Sequence, residues 1–104
     1  MAGPHSHIAP PPDRIAAFCR RHHIRRLSLF GSVLREDFGP DSDVDVLVEF
    51  AQGKAPGFIR LAGMELELSQ LLGGRRVDMN TPQSLSPYFR DAVVAQAALQ
   101  YAEA

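Results

Sequence analysis

Hydrophobic residues recur along this chain with two periods, one typical of helices and one typical of strands. Near the N-terminus, residues spaced three and four apart form the apolar stripe of an amphipathic helix: Ile15, Phe18, Cys19 and His22. Asp13 precedes this stripe at the position expected for the N-cap. The next segment, residues 26–30, alternates between apolar and polar side chains and ends at Gly31, so it predicts a short strand and a tight turn.

The clearest strand pattern covers residues 43–50, where three valines, at positions 44, 46 and 48, alternate with three acidic residues and Leu47. The valines are therefore expected on one face of the strand and the acidic side chains on the other. Between the two strands, residues 32–37 predict a helix of one or two turns at most.

The second half of the chain predicts a helix, a strand and a helix. Apolar residues at helical spacing predict the first helix, which is expected to end at Gly73 and Gly74: Leu61, Met64, Leu68, Leu71 and Leu72. Residues 75–80 predict a third strand, and Ser86 followed by Pro87 suits the start of a final helix. The buried side of that helix is expected to hold five residues: Leu85, Phe89, Ala92, Val93 and Leu99. This order predicts a small α/β domain in which a short mixed sheet carries flanking helices on one face.

Length and composition narrow the class of protein. A chain of 104 residues has room for one core, so we expect a single domain over residues 13–104. Residues 1–12 hold four of the eight prolines and predict a disordered tail. A formal net charge of -1 argues against nucleic acid as a direct ligand. With one cysteine and no apolar run near the roughly 18 residues of a membrane span, we expect a cytoplasmic protein without membrane contact.

Two aspartates predict a metal site. Asp43 and Asp45 stand two residues apart on a predicted strand, so both side chains leave the same face. Carboxylates this close repel each other unless a cation lies between them, and Mg²⁺ is commonly held by carboxylates together with substrate phosphates. Asp78, on the third predicted strand, joins the pair if the register of the sheet allows it. A solvated acidic face is the alternative interpretation.

The turn at Gly31 and Ser32 predicts an anion site. A strand that turns at glycine into a helix exposes unpaired N–H groups, and the missing Cβ lets a phosphate approach the backbone. Ser32 adds a hydroxyl donor, although a plain turn and helix cap would use the same residues. Together with the aspartates, this turn predicts a metal-nucleotide site.

Two motifs carry a family resemblance. Residues 31–35 (GSVLR) and 42–48 (SDVDVLV) resemble the signature of the nucleotidyltransferase superfamily typified by DNA polymerase beta. The small size and Asp78 resemble its minimal nucleotidyltransferase (MNT) branch, in which many members are antitoxins encoded with HEPN-domain ribonuclease toxins. The resemblance covers about residues 15–101, and its one departure is Glu36, where the family often has glycine.

This resemblance implies a role for each motif residue. Three carboxylates would be catalytic and would hold two Mg²⁺ ions: Asp43, Asp45 and Asp78. Three residues would bind the triphosphate of ATP: Gly31, Ser32 and Arg35. For Arg35, pairing with a phosphate, bracing one of the aspartates and a surface ion pair all remain open.

The implied reaction is transfer of AMP from ATP to a hydroxyl, with release of pyrophosphate. In the resembled case the acceptor is a tyrosine of a cognate HEPN-type toxin, which would form a hetero-oligomer with this antitoxin. Two alternatives are a nucleotidyltransferase that acts on a small molecule and an antitoxin that neutralises its partner by binding alone. A chain this short leaves little to enclose a small acceptor, which favours a macromolecule.

Four further polar residues are expected to have structural roles. His22 and His23 are possible bases, but their position on an amphipathic helix favours packing or surface exposure. Cys19 lies on the apolar stripe and is expected in the core, and Ser42 is expected to cap the turn before the second strand.

Overall fold

The computed structural model describes residues 10–35, 38–39 and 41–103. Most of the predicted tail, and the end of the predicted short helix at residues 36–37, lie outside the described residues. The main elements are α1 (Pro12–Arg21), β1 (Ile24–Phe30), β2 (Val44–Phe50), α2 (Phe58–Leu71), β3 (Val77–Asn80), α3 (Arg90–Gln96) and β4 (Ala98–Ala102). Two short 3₁₀ helices cover Gly31–Leu34 and Pro82–Ser84. No helix in the described ranges is both long and apolar enough to cross a membrane.

The four strands form one mixed sheet in the order β3-β2-β1-β4. β1 runs antiparallel to both β2 and β4, whereas β3 runs parallel to β2. A parallel neighbour requires a crossover connection, and α2 provides it between β2 and β3. The predicted α/β architecture with a short mixed sheet is therefore confirmed.

The hydrophobic core lies between one face of the sheet and helices α1 and α2. α1 packs on β1 and β4, while α2 packs on β3 and touches α1. The core includes the stripe predicted for α1 and the predicted valine face of β2: Ile15, Phe18, Cys19, Val44, Val46 and Val48. Leu47, which points to the opposite face, is only 5% exposed, so that face is partly covered as well.

The N-terminus of α1 differs from the prediction. The N-cap is Pro11, which has no side-chain cap, and Pro12 is the first helical residue. Proline suits this position because its missing N–H would have no partner within the helix. Asp13 was wrongly expected to cap the helix and instead lies in the first turn, where a carboxylate interacts favourably with the helix dipole.

The C-terminal part of the chain contains a strand that the sequence pattern did not predict. The predicted helix start at Ser86 is wrong: the Ser86 hydroxyl accepts the N–H of Tyr88 in a turn, and the helix is limited to the seven residues of α3. Phe89 and Leu99, expected to be buried on one helix, are 51% and 49% exposed. Alanine-rich sequence favours a helix locally. Non-local pairing of β4 with β1, in which Ala98 lies opposite Leu29, outweighs that preference.

Glu65 of α2 supports the edge strand β3. Its Oε2 accepts the backbone N–H of Met79 at 2.8 Å, next to Asp78. We expect Glu65→Ala to lower the free energy of unfolding by about 1–3 kcal/mol, because the substitution removes a charge-assisted hydrogen bond to the backbone. Urea denaturation measures this loss. Glu65→Gln keeps an oxygen acceptor and should lose less; equal stability of all three proteins would contradict this role.

Candidate active site

The sheet register aligns acidic side chains from two neighbouring strands. Asp45 on β2 lies opposite Asp78 on β3, and on its other side Asp45 lies opposite Phe30 on β1. Adjacent strands are about 4.8 Å apart, and residues in register point to the same face. Asp43 immediately precedes β2 and is two residues from Asp45, which directs it to this face as well. The conditional expectation for Asp78 is therefore met by the backbone.

The carboxylate of Asp45 is the electrostatic centre of this group. Burial raises the pKa of Asp45, and the charges of Asp78 and then Asp43 raise it further. Arg35 acts in the opposite direction and lowers that pKa. The two neighbouring charges thus disfavour the charged form of Asp45, which is the situation that a bound cation relieves.

The side chains themselves are not drawn together into a chelating group. Within the described residues, no three acidic, histidine or cysteine side chains are arranged so that they could hold a metal ion as they stand. Asp43 is 48% exposed and lies 3.8 Å from Nε of Arg76. The all-oxygen donor set and the raised pKa of Asp45 nevertheless fit a hard divalent cation such as Mg²⁺. Binding of one ion by all three aspartates remains a prediction. The backbone already aligns Asp45 with Asp78, and the side chains would have to rotate toward the ion.

Gly31 lies directly against the Asp45 carboxylate. Its φ of +75° belongs to the left-handed region, which side chains other than glycine rarely adopt. A Cβ at this position would overlap Oδ2 of Asp45 and lie 3.2 Å from its Cγ. Two independent constraints, backbone conformation and close approach, therefore require glycine here.

Ser32 connects the turn to the start of β2. Its hydroxyl donates a hydrogen bond to the carbonyl oxygen of Asp43 at 3.2 Å. The helix that begins at Gly31 is the four-residue 3₁₀ helix Gly31–Leu34, shorter than the predicted helix over residues 32–37. The phosphate role of Gly31 and Ser32 stays a prediction, and the hydroxyl already has a structural partner that links the two motifs.

Arg35 was left open between three roles. It follows the 3₁₀ helix and is exposed, and its backbone N–H donates to the carbonyl of Ser32 at 2.9 Å. Its charge lowers the pKa of Asp45, so the guanidinium is within electrostatic range of that carboxylate, and the three roles stay open. A phosphate close to Asp45 would also lie within range of this guanidinium.

Arg75, which belongs to none of the predicted motifs, contacts the loop before β2. Its guanidinium lies 4.5 Å from the centre of the Phe38 ring, and its Nη1 donates to the carbonyl of Gly39 at 2.9 Å. Ser42 accepts the N–H of Gly39 at 3.0 Å, which confirms its predicted role in the turn. In the sequence, the only indication of a role for Arg75 is its position three residues before Asp78. Its hydrogen bond to Gly39, 36 residues away, could not be predicted from sequence spacing.

The histidines and the cysteine lie away from the aspartates. His22 precedes the start of β1, whereas Asp45 is opposite its end, so six residues of strand, about 20 Å, separate them. Nε2 of His22 is 2.9 Å from Oε1 of Glu67, and burial, followed by the charge of Arg21, lowers its pKa. Cys19 is fully buried, and burial raises the pKa of its thiol to about 12. Cys19 and His22 pack as expected and His23 is exposed, but both histidines follow the end of α1 and do not lie on the helix itself.

The chain is similar in sequence to a known family and to curated proteins. Residues 13–99 match the family described as "Nucleotidyltransferase domain". The chain is 34% identical, over 81% of its length and 87% of the relative, to a candidate protein adenylyltransferase of Methanocaldococcus jannaschii. It is 38% identical to the protein adenylyltransferase MntA of Thermococcus cleftensis, over 62% of this chain and 63% of that one.

Solved structures show the same fold. A candidate minimal nucleotidyltransferase superposes with a TM-score of 0.67 at 36% identity, covering 83% of this chain and 85% of the other. A toxin-antitoxin structure with AMP-PNP superposes with a TM-score of 0.69 at 22% identity, covering 88% and 73% of the two chains. The resemblance stated from the sequence motifs is thereby confirmed.

Proposed function

Because this chain belongs to the nucleotidyltransferase domain family, we propose that it transfers AMP from ATP to a hydroxyl group of a partner protein. The partner we propose is a HEPN-type toxin, and the acceptor is the hydroxyl of one of its tyrosines. Because this modification would neutralise the toxin, the chain would act as its antitoxin. Relatives named as protein adenylyltransferases support protein as the acceptor class. The observation that carries the proposal is the alignment of Asp45 with Asp78, with the backbone of Gly31 against Asp45.

In this reaction the acceptor oxygen forms a bond to the α-phosphorus of ATP while the bond to the bridging oxygen breaks and pyrophosphate leaves. Asp43, Asp45 and Asp78 would hold Mg²⁺, which neutralises phosphate charge and makes the acceptor hydroxyl easier to deprotonate. The backbone of the Gly31 turn lies against Asp45, so its N–H groups would bind the triphosphate beside that carboxylate, and Arg35 adds positive charge there. Asp78 lies on the far side of Asp45 from Gly31, where it would orient the acceptor and take its proton.

The openness of the site favours a macromolecular acceptor. Asp78 is exposed and Asp43 is 48% exposed, and both lie toward the edge strand β3. A small acceptor would need walls that enclose it, whereas a protein brings its own surface to an open edge. The same exposure leads us to expect weak binding of ATP by this chain alone and stronger binding in the complex.

The proposal is tested by labelling. The purified chain is incubated with Mg²⁺, the partner toxin and ATP labelled on either the α- or the γ-phosphate. We expect label on the toxin only from α-labelled ATP, because AMP is retained and pyrophosphate leaves. Replacing the acceptor tyrosine of the toxin by Phe should abolish labelling, and Asp78→Ala in this chain should do the same.

A double variant separates catalysis from inhibition by binding. We expect Asp43→Asn combined with Asp45→Asn to abolish protection against the toxin even when the complex still forms. Protection that survives in this variant would instead support an antitoxin that acts by covering its partner. Label that appears on a small molecule but never on protein would support the small-molecule alternative.

A further inference from the structure

A cleft of about 480 Å³ opens beside Gly31, whose backbone lies against Asp45. Its walls are largely apolar and come from the end of β1, the 3₁₀ helix that follows and α3: Phe30, Gly31, Leu34, Arg35, Val93 and Gln96. A cavity of this size and lining is typical of sites for small organic ligands. None of the roles assigned above uses Leu34, Val93 or Gln96.

The position of the cleft identifies which substrate it adjoins. In the sheet order β3-β2-β1-β4, Asp78 lies on one side of Asp45, and the cleft lies on the other side, at the end of β1. Phe30 is in register with Asp45, so its side chain is on the same face as the carboxylates. The proposed acceptor side is therefore remote from the cleft, and the proposed triphosphate side, at Gly31 and Arg35, is part of it.

We propose that this cleft binds the nucleobase of the donor triphosphate and that Gln96 determines which base is accepted. The inference rests on the proposed function and adds its nucleotide specificity. Phe30, Leu34 and Val93 offer apolar contacts to a flat ring, and such surfaces attract a heteroaromatic base more than a charged phosphate.

Gln96 is the residue of the cleft whose side-chain amide can recognise the base by hydrogen bonds. Its amide has one donor and one acceptor side, the pattern that pairs with the edge of adenine. Within the described residues its side chain makes no hydrogen bond, whereas Gln100 donates to the carbonyl of Ala98 at 3.1 Å. Gln96 is therefore free to bind a ligand.

Contacts at both ends of α3 hold Gln96 over the cleft. Arg90, at the start of the helix, donates hydrogen bonds to the carbonyl oxygens of Pro82 and Leu85, at 2.6 and 3.0 Å. Beyond its end, Ala98 pairs with Leu29 in the sheet. The helix has no buried residue of its own, so these anchors rather than core packing set its position.

Filling the cleft tests where the base lies. We expect Val93→Trp to weaken ATP binding about tenfold or more, because the indole occupies the space of the base. Binding of inorganic tripolyphosphate, which has no base, should stay unchanged. Val94→Trp is the matched control, since Val94 is the next residue on the same helix but is 47% exposed and does not line the cleft. Calorimetry with Mg²⁺ and without any acceptor measures all six affinities.

A second variant tests base selection without changing volume. Gln96→Glu removes the amide donor, so we expect the ratio of ATP affinity to GTP affinity to fall about tenfold. Gln100→Glu, with the same chemical change outside the cleft, should leave the ratio unaltered. An unchanged ratio in Gln96→Glu would overturn the role of Gln96.

The outcomes separate the two proposals. If the unaltered protein binds ATP and transfers AMP, but Val93→Trp binds ATP normally, the base lies elsewhere and only the cleft assignment fails. If Val93→Trp binds ATP normally but transfers AMP poorly, the cleft holds the acceptor, which also overturns the assignment. If the unaltered protein transfers no AMP to any partner, the proposed function itself fails.

Discussion

Asp45→Asn is expected to reduce AMP transfer by about a thousandfold while the protein stays folded, because removing a key electrostatic group from such a site typically costs that much. Asp45 is at the centre of the site because it lies between Asp78 on the neighbouring strand and the backbone of Gly31. Asn has nearly the same shape but no charge with which to hold Mg²⁺. Transfer rates with α-labelled ATP measure the loss.

Although Asp45→Asn should lose activity, we expect the same substitution to leave the protein equally stable or more stable at neutral pH. Because the pKa of Asp45 is raised from its ordinary value of 3.8, the folded protein holds this proton to a higher pH than the unfolded chain does. Stability from this group is therefore lost as pH rises from 3.8 through the raised pKa. Without Mg²⁺, Asp45→Asn should match or exceed the Tm of the unaltered protein at neutral pH, and this difference should disappear in acid.

Glu49→Gln is the matched control for Asp45→Asn. Glu49 lies on the same strand and the same face, four residues further on, and is 3.5 Å from Nε of Arg26. Its substitution removes the same charge from the sheet but away from the site, so activity should be retained. Equal losses in the two variants, or an active Asp45→Asn protein, would refute the central role of Asp45.

Gly31→Ala is expected to damage both folding and catalysis. The φ of +75° costs about 1–2 kcal/mol for a residue with a Cβ. In addition, the new methyl group would overlap Oδ2 of Asp45, so either the turn or the carboxylate must move. We expect a larger loss of unfolding free energy than the backbone cost alone and nearly complete loss of AMP transfer.

Gly53→Ala isolates the backbone cost. Gly53 has the same φ of +75°, but a Cβ there would meet nothing within 4 Å. It should therefore lose stability by the conformational cost alone and keep full activity. Urea denaturation and transfer assays of both variants measure the difference. If Gly31→Ala were no less stable than Gly53→Ala and equally active, the close approach to Asp45 would be unimportant.

Much of the fold could be predicted because its elements have local signals. The helical stripe that includes Phe18 predicted α1, and the alternating valines predicted β2. Local signals failed where a distant partner decides the outcome. The alanine-rich end of the chain has helix propensity, and β4 forms there because β1 provides an open edge for hydrogen bonding.

The candidate site likewise has a part that local sequence predicts and a part that depends on distant contacts. The two-residue period of a strand is enough to put Asp43 and Asp45 on one face. No spacing in the sequence shows that β3 pairs in parallel with β2 in the register that sets Asp78 beside Asp45. Nor could spacing show that Arg75 reaches back to the loop before β2. These contacts join residues more than 30 positions apart.

The amino-acid sequence by itself determined the residue types, their order and their local periodicity, and these were sufficient to predict the class of fold and the motif of the family. Only the tertiary structure decided that the backbone of Gly31 lies against Asp45 and that α3 forms a cleft wall beside it. The physical reason is that periodicity reports on neighbours within one element, whereas a site is made where separate elements pack and close contacts exclude every residue larger than glycine.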